Sequence, residues 1–129
     1  GRAYATLSGG EQQRVQFARA LAQILDAPER AFMLLDEPTA SLDIAHQAQL
    51  LRAARRLADL GTGVFAVLHD LNLAAAHADA VAILSRGRVA AFGAPDDVLT
   101  AETVRKVYDW PVTRFVPPGA AGPVIIPSA

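Results

Sequence analysis

Apolar and polar positions alternate along the chain in a few clear periods. In residues 9–26, Val15, Ala18, Ala22 and Leu25 recur at helical spacing, while Gln12, Gln16, Arg19 and Gln23 form a separate polar stripe. This predicts a helix to about Asp26, with Pro28 just beyond its end. Ser8 and Glu11 stand at its start with the spacing of a capping box. Residues 31–35 are a short continuous apolar run ending in Asp36-Glu37-Pro38, which predicts a fully buried parallel strand. A second helix is predicted over residues 44–60, with Leu50, Leu51, Ala54, Leu57 and Ala58 on one face and Gly61 and Gly63 closing it.

Residues 64–68 predict another buried strand, delivering His69-Asp70 at its end, and a short helix follows near residues 71–77. Residues 80–84 and 88–92 read as a hairpin around Ser85-Arg86-Gly87. Two short helices are expected over residues 95–99 and 101–109. The Pro- and Gly-rich residues 111–129 read as a tail with one edge strand at residues 124–126. No internal repeat is visible. Strand, helix and strand in alternation predict an α/β fold with a mostly parallel sheet flanked by helices. Ligands of such sheets bind beyond the carboxyl ends of the strands. Asp36, Glu37 and His69 all fall at that edge.

Composition narrows the function. With 129 residues, one domain at most is expected, and a hydrophobic content of 52% allows a packed core. A formal net charge of -1 argues against a nucleic-acid binder that relies on a broad basic face. The chain has no cysteine, which excludes disulfides and thiolate metal sites. No apolar run approaches the ~20 residues that span a bilayer, so membrane association is expected to run through a partner.

The chemistry-bearing segments each allow two readings. Ser8-Gly9-Gly10-Glu11 before a helix brings backbone N–H groups, partial positive charge and a hydroxyl together, an anion site suited to phosphate. It is equally an ordinary capped helix start. Asp36 at a strand tip can hold Mg²⁺, and Glu37 directly after it can polarise or deprotonate a water. The same pair could be a solvated acidic loop. Asp43, in Ser41-Leu42-Asp43, alone reads as a helix N-cap. His69 alone reads as a hydrogen-bonded core histidine, and His46 and His77 as surface or packing residues.

Order and spacing together are more specific. Leu7-Ser8-Gly9-Gly10-Glu11-Gln12-Gln13-Arg14, then Leu35-Asp36-Glu37-Pro38-Thr39, then Ser41-Leu42-Asp43, then His69-Asp70, resembles the ATP-binding cassette (ABC) ATPase family. These segments match that family's signature motif, Walker B strand, D-loop and switch-histidine loop, in order, up to about Asp109. The resemblance implies the C-terminal portion of a P-loop NTPase domain over residues 1–110, with 111–129 as a tail. It implies ATP and Mg²⁺ as ligands. Asp36 would hold the metal, and Glu37 would align the hydrolytic water as the catalytic carboxylate. His69 would contact the γ-phosphate. Ser8, Gly9, Gly10 and Glu11 would form the signature loop that closes on ATP bound to the opposite subunit, and Asp43 would link the two sites.

One departure is large. The phosphate-binding loop G-x-x-x-x-G-K-[ST] needs a lysine, and the only lysine here is Lys106, with no glycine beside it. The family's adenine-stacking aromatic and glutamine loop also lie upstream of the signature motif. The chain is therefore expected to be a piece of a longer protein and to be inactive by itself. Phe92-Gly93-Ala94-Pro95-Asp96-Asp97-Val98-Leu99-Thr100 looks like the importer pattern. His69-Asp70-Leu71-Asn72-Leu73-Ala74 and Leu42-Asp43-Ile44-Ala45-His46-Gln47 look like the iron-chelate, cobalamin and haem importers. Residues 12–19 and the tail's Val124-Ile125-Ile126-Pro127 resemble the ATPases of haemin importers. The partners so implied are a second ATPase subunit in a homodimer, transmembrane permease subunits and, indirectly, a substrate-binding protein, at the cytoplasmic face of the membrane. No nucleic-acid partner is expected. A non-transport ABC ATPase and a non-catalytic remnant are the alternatives.

Overall fold

A computed structural model describes residues 3–26 and 28–128. Ala129, the end of the expected tail, lies outside the described residues. The chain forms two compact units, residues 1–69 and 70–129.

The first unit begins with a 3-10 turn, Tyr4–Thr6, and helix α1, Gly9–Ile24. Ser8 caps α1: its hydroxyl accepts the Glu11 N–H, and the Glu11 carboxylate accepts the Ser8 N–H. Both ends of the box satisfy backbone donors that the helix leaves open. A second 3-10 turn, Pro28–Arg30, leads into strand β1, Phe32–Asp36. Helix α2, Ile44–Asp59, then crosses over to strand β2, Gly63–Val67, which pairs parallel with β1 from Phe32↔Gly63 to Asp36↔Val67. Asp43 caps α2 by accepting the His46 N–H. At its far end the Thr62 N–H reaches the Leu57 carbonyl and the Gly61 N–H the Ala58 carbonyl. This is a Schellman closure, and it requires the left-handed backbone that Gly61 supplies at φ 98°.

Leu50, Leu51, Ala54 and Leu57 of α2 are buried, as the periodicity predicts. The strands correct the expectation of full burial. Met33 and Leu35 are buried, but Phe32 and Leu34 are 82% and 78% exposed. Phe65 is likewise 60% exposed. Successive side chains leave a strand on opposite sides, and here α2 packs against β2 and only one face of β1 is buried. An apolar run long enough for two buried faces therefore has one of them open. Helix α1 corrects a second expectation: none of its residues is buried, and Leu25 of the predicted apolar face is 56% exposed. It also stops at Ile24, before the expected Asp26.

The second unit opens with helix α3, Leu71–His77, capped by Asp70, whose carboxylate accepts the Asn72 and Leu73 N–H groups. Strands β3, Val81–Ser85, and β4, Arg88–Gly93, form the predicted antiparallel hairpin, with a register shift after Ile83. Helices α4, Pro95–Val98, and α5, Ala101–Tyr108, follow. The tail carries two strands where one was expected. β5, Val112–Phe115, pairs antiparallel with β6, Val124–Pro127. The reason is the core it joins. Ala75, Val81, Ile83, Val98, Leu99, Val104 and Ile125 form one buried cluster, with Val112 packed against it. Asn72 locks β6 in place: its amide donates to the Ile125 carbonyl at 3.2 Å and its oxygen accepts the Ile125 N–H at 2.7 Å. Among the described residues no helix is long and apolar enough to cross a membrane.

Candidate functional site

The parallel pair of the first unit brings its two chemistry-bearing tips together. β1 ends at Asp36, and the chain turns at Glu37, whose φ of 43° is left-handed. A non-glycine residue held there costs on the order of 1 kcal/mol or more. The turn aims the Glu37 side chain toward the end of β2. His69 Nε2 and Glu37 Oε1 lie 2.7 Å apart, with both side chains substantially open to solvent. His69 is thus a carboxylate partner at the strand edge and not a buried core residue. The ionised carboxylate only accepts, so Nε2 carries the hydrogen in this contact.

Two glutamines of α1 support the geometry. The Gln13 amide donates to the Glu37 carbonyl at 3.4 Å, tying the first turns of α1 to the acidic tip. The Gln12 amide donates to the Leu7 carbonyl at 3.1 Å and fixes the entry loop. The Gln13 carbonyl oxygen is buried with no hydrogen-bond partner among the described residues.

The turn between β1 and α2 lies against the start of α1. A Cβ added at Gly10 would sit 2.9 Å from the Ser41 carbonyl oxygen, so only glycine lets the two backbones approach this closely. Gly9 has more room, with Ser41 Cβ 3.8 Å from the same added atom. Gln47 braces the turn from α2, donating to the Thr39 and Leu42 carbonyls at 3.1 Å each. Between these segments lies an open cleft of about 510 Å³. Ser8, Gly9, Gly10, Glu11 and Arg14 line one side, and Ser41, Leu42, Asp43 and His46 the other.

The sequence candidates therefore form two groups. Asp36, Glu37 and His69 lie at the strand edge. Ser8, Gly9, Gly10, Glu11 and Asp43 line the cleft. His46, expected to be a surface or packing residue, is part of the cleft wall. Its Nδ1 lies 2.8 Å from Asp43 Oδ1 and its Nε2 lies 2.7 Å from an Arg14 guanidinium nitrogen. Its place three residues after a capping aspartate, within the segment 42–47 that resembles the importers, is the signal that could have drawn attention to it. The His46 backbone N–H, followed by its side chain, holds the Asp43 carboxyl below its ordinary value of 3.8. Among the described residues no group of three or more His, Cys, Asp or Glu could hold a metal ion. A metal at Asp36 would have to draw most of its ligands from a bound phosphate and water.

A comparison with protein-family models found no match. Curated relatives do match. The chain is 53% identical over 128 residues to a hemin import ATP-binding protein of Myxococcus xanthus, covering 98% of this chain and 48% of that protein. It is 49% identical over 125 residues to the protein of the same name from Photobacterium damsela subsp. piscicida, covering 97% and 47%. It is 47% identical over 133 residues to that of Mesorhizobium japonicum, covering 100% and 50%. The chain thus spans about half the length of the curated relatives it matches. Among solved structures, one described as an inward-facing conformation of a metal-chelate type ABC transporter superposes with a TM-score of 0.78 at 28% identity. That match covers 99% of this chain and 50% of the other. The ATP-binding subunit of an ABC transporter superposes with a TM-score of 0.64 at 28% identity, covering 82% and 40%. The chain belongs to the ABC-type ATPases and carries the fold of the C-terminal portion of their nucleotide-binding domain.

Proposed function

We propose that the protein works as an ATP-binding and ATP-hydrolysing subunit of an ABC importer for hemin or a related iron chelate. The observation that carries the catalytic part is the contact of His69 Nε2 with Glu37 Oε1 at the tips of adjacent parallel strands, next to Asp36. The importer assignment is supported by the relatives' names and by the metal-chelate type transporter that shares the fold.

Each residue has a defined task in this reading. Asp36 would hold Mg²⁺, with phosphate oxygens and water completing its shell, and the metal would neutralise charge on the transferring phosphoryl group. Glu37 orients the attacking water and takes its proton. The Nε2–H of His69 is placed to donate either to Glu37 or to a terminal phosphate oxygen, so ligand binding exchanges one acceptor for the other. Ser8 accepts the Glu11 N–H and still has its own hydroxyl proton to donate to a phosphate. Gly9 and Gly10 give that phosphate access to the backbone of the first turn. Glu11 reaches back to the Ser8 N–H and shapes the loop.

In the family's arrangement this signature surface faces ATP held by a second subunit, and Asp43 faces the partner's site. The partners proposed are a second copy of the subunit, the transmembrane permease subunits and, indirectly, a substrate-binding protein, at the cytoplasmic face of the membrane. Residues 1–110 would form the C-terminal part of the ATPase domain, and 111–129 its tail.

The test is Glu37→Gln in the full-length subunit assembled with its permease. ATP hydrolysis is expected to fall by about a hundredfold or more, with ATP binding retained within a few-fold. Near-normal hydrolysis would remove Glu37 from its assigned role.

A further inference from the structure

The cleft wall contains a chain of hydrogen bonds that the catalytic assignment does not use. Arg14 lies on α1, one turn beyond the signature loop. His46 lies on the first turn of α2, and Asp43 caps that helix. The Arg14 guanidinium reaches His46 Nε2 at 2.7 Å, and His46 Nδ1 reaches Asp43 Oδ1 at 2.8 Å. The same carboxylate oxygen accepts the His46 N–H at 2.9 Å.

Donor and acceptor rules leave one arrangement. A guanidinium only donates, so Nε2 must accept. An ionised carboxylate only accepts, so Nδ1 must carry the hydrogen. His46 is then a neutral imidazole with its hydrogen on Nδ1, passing a single direction of hydrogen bonding from α1 through α2 to the cap. A doubly protonated imidazole, with no acceptor nitrogen left for Arg14, would break that direction. Beside this chain, Gly10 packs on the Ser41 carbonyl with no room for a side chain. A polar tie and a backbone contact therefore hold the same two segments along one seam.

We propose that His46 is a positioning residue, joining Arg14 to Asp43 so that the signature loop and the β1–α2 turn, the two sides of the nucleotide cleft, move as one unit. The proposal rests on the ATPase reading above and adds a residue to it. A rigid link between them matters because both sides of the cleft must meet the partner subunit's nucleotide at once. Small losses of alignment reduce turnover more than affinity when a contact forms fully only in the closed state.

Two measurements on the full-length subunit test it. Histidine ¹⁵N labelling reads the tautomer, with His46→Gln providing the assignment. The His46 imidazole is expected with its hydrogen on Nδ1, where Asp43 accepts it, and Arg14→Met is expected to shift the Nε2 ¹⁵N signal, which loses its donor, while the hydrogen on Nδ1 stays. Hydrogen on Nε2 in the unaltered protein overturns the seam. In the assembled transporter, Arg14→Met and His46→Leu are each expected to lower kcat for ATP hydrolysis about tenfold while KM changes less than about twofold. The double variant should be no worse than either single, because both cut the same chain. His46→Gln, whose amide can accept from Arg14 and donate toward Asp43, should recover most of the loss. Additive losses, a change confined to KM, or failure of His46→Gln to recover activity in a folded protein overturn the positioning role. An unaltered transporter without ATP turnover would overturn the functional reading and with it the role in turnover, while the tautomer would still report whether the seam is built.

Discussion

At the scale of single residues, two acidic side chains owe their behaviour to the backbone around them. Glu37 sits in a left-handed turn that a glycine would adopt more readily, and this is the turn that brings its carboxylate to His69. Strain of this kind persists where the surrounding structure enforces it. Here the Gln13 amide and the Ala40 N–H both hold the Glu37 carbonyl. Asp43 is exposed, yet its carboxyl is held below the ordinary value, first by the His46 N–H and then by the His46 ring. A folded-state value below the unfolded one means the contribution is present above the unfolded pKa and disappears as pH falls through the folded one. The loss is therefore expected below about pH 3.8, the ordinary aspartate value. Circular dichroism of the α2 N-terminus, or amide exchange at His46, should show fraying in that acid range. Asp43→Asn keeps a capping oxygen without the titration, so its acid profile should lack this component. Identical profiles would remove the assigned cause.

At the scale of elements, β1 is the informative case. Its apolar run is continuous, and continuity alone says buried on both faces. The structure covers the face of Met33 and Leu35 and leaves that of Phe32 and Leu34 open. This gives a paired expectation for the 129-residue chain. Met33→Ala should destabilise it by about 2–5 kcal/mol, because it empties a packed site. Leu34→Thr should change stability by less than about 0.5 kcal/mol, since the leucine is already in water. Denaturant titration of both variants checks this, and equal losses would show that the outer face is covered in solution. The hydrophobic period identified α2 and its buried stripe well, because a helix in contact with a sheet buries one predictable face. It identified α1 as a helix but not its exposure, because a stripe finds cover only if another element is placed on it.

At the scale of the whole molecule, the chain carries the fold of the C-terminal portion of an ABC ATPase domain and spans about half the length of its relatives. Its sequence offers no lysine-bearing phosphate loop, the element that takes most of a nucleotide's β- and γ-phosphate charge. The 129-residue chain by itself is accordingly expected to show no saturable binding of a fluorescent ATP analogue in the micromolar range. Saturation there would mean that the signature and strand-edge residues bind nucleotide without that loop.

What the sequence determined on its own was local. The capping box at Ser8 and Glu11, the cap at Asp43, the helix of Leu50 to Leu57 and the acidic strand tip all follow from residues a few positions apart, so spacing reveals them. The order of these segments was enough to identify the family. Contacts between distant positions were decided by the tertiary structure. The approach of Glu37 to His69 spans 32 residues and depends on the parallel register of β1 and β2. The Arg14–His46 contact also spans 32 residues, and no periodicity in either helix signals it. The tail became a hairpin because Val112 and Ile125 find a core and Asn72 supplies partners for the Ile125 backbone, 53 positions away. Local free energy selects elements, but a side chain's partner is chosen by where those elements are brought in space.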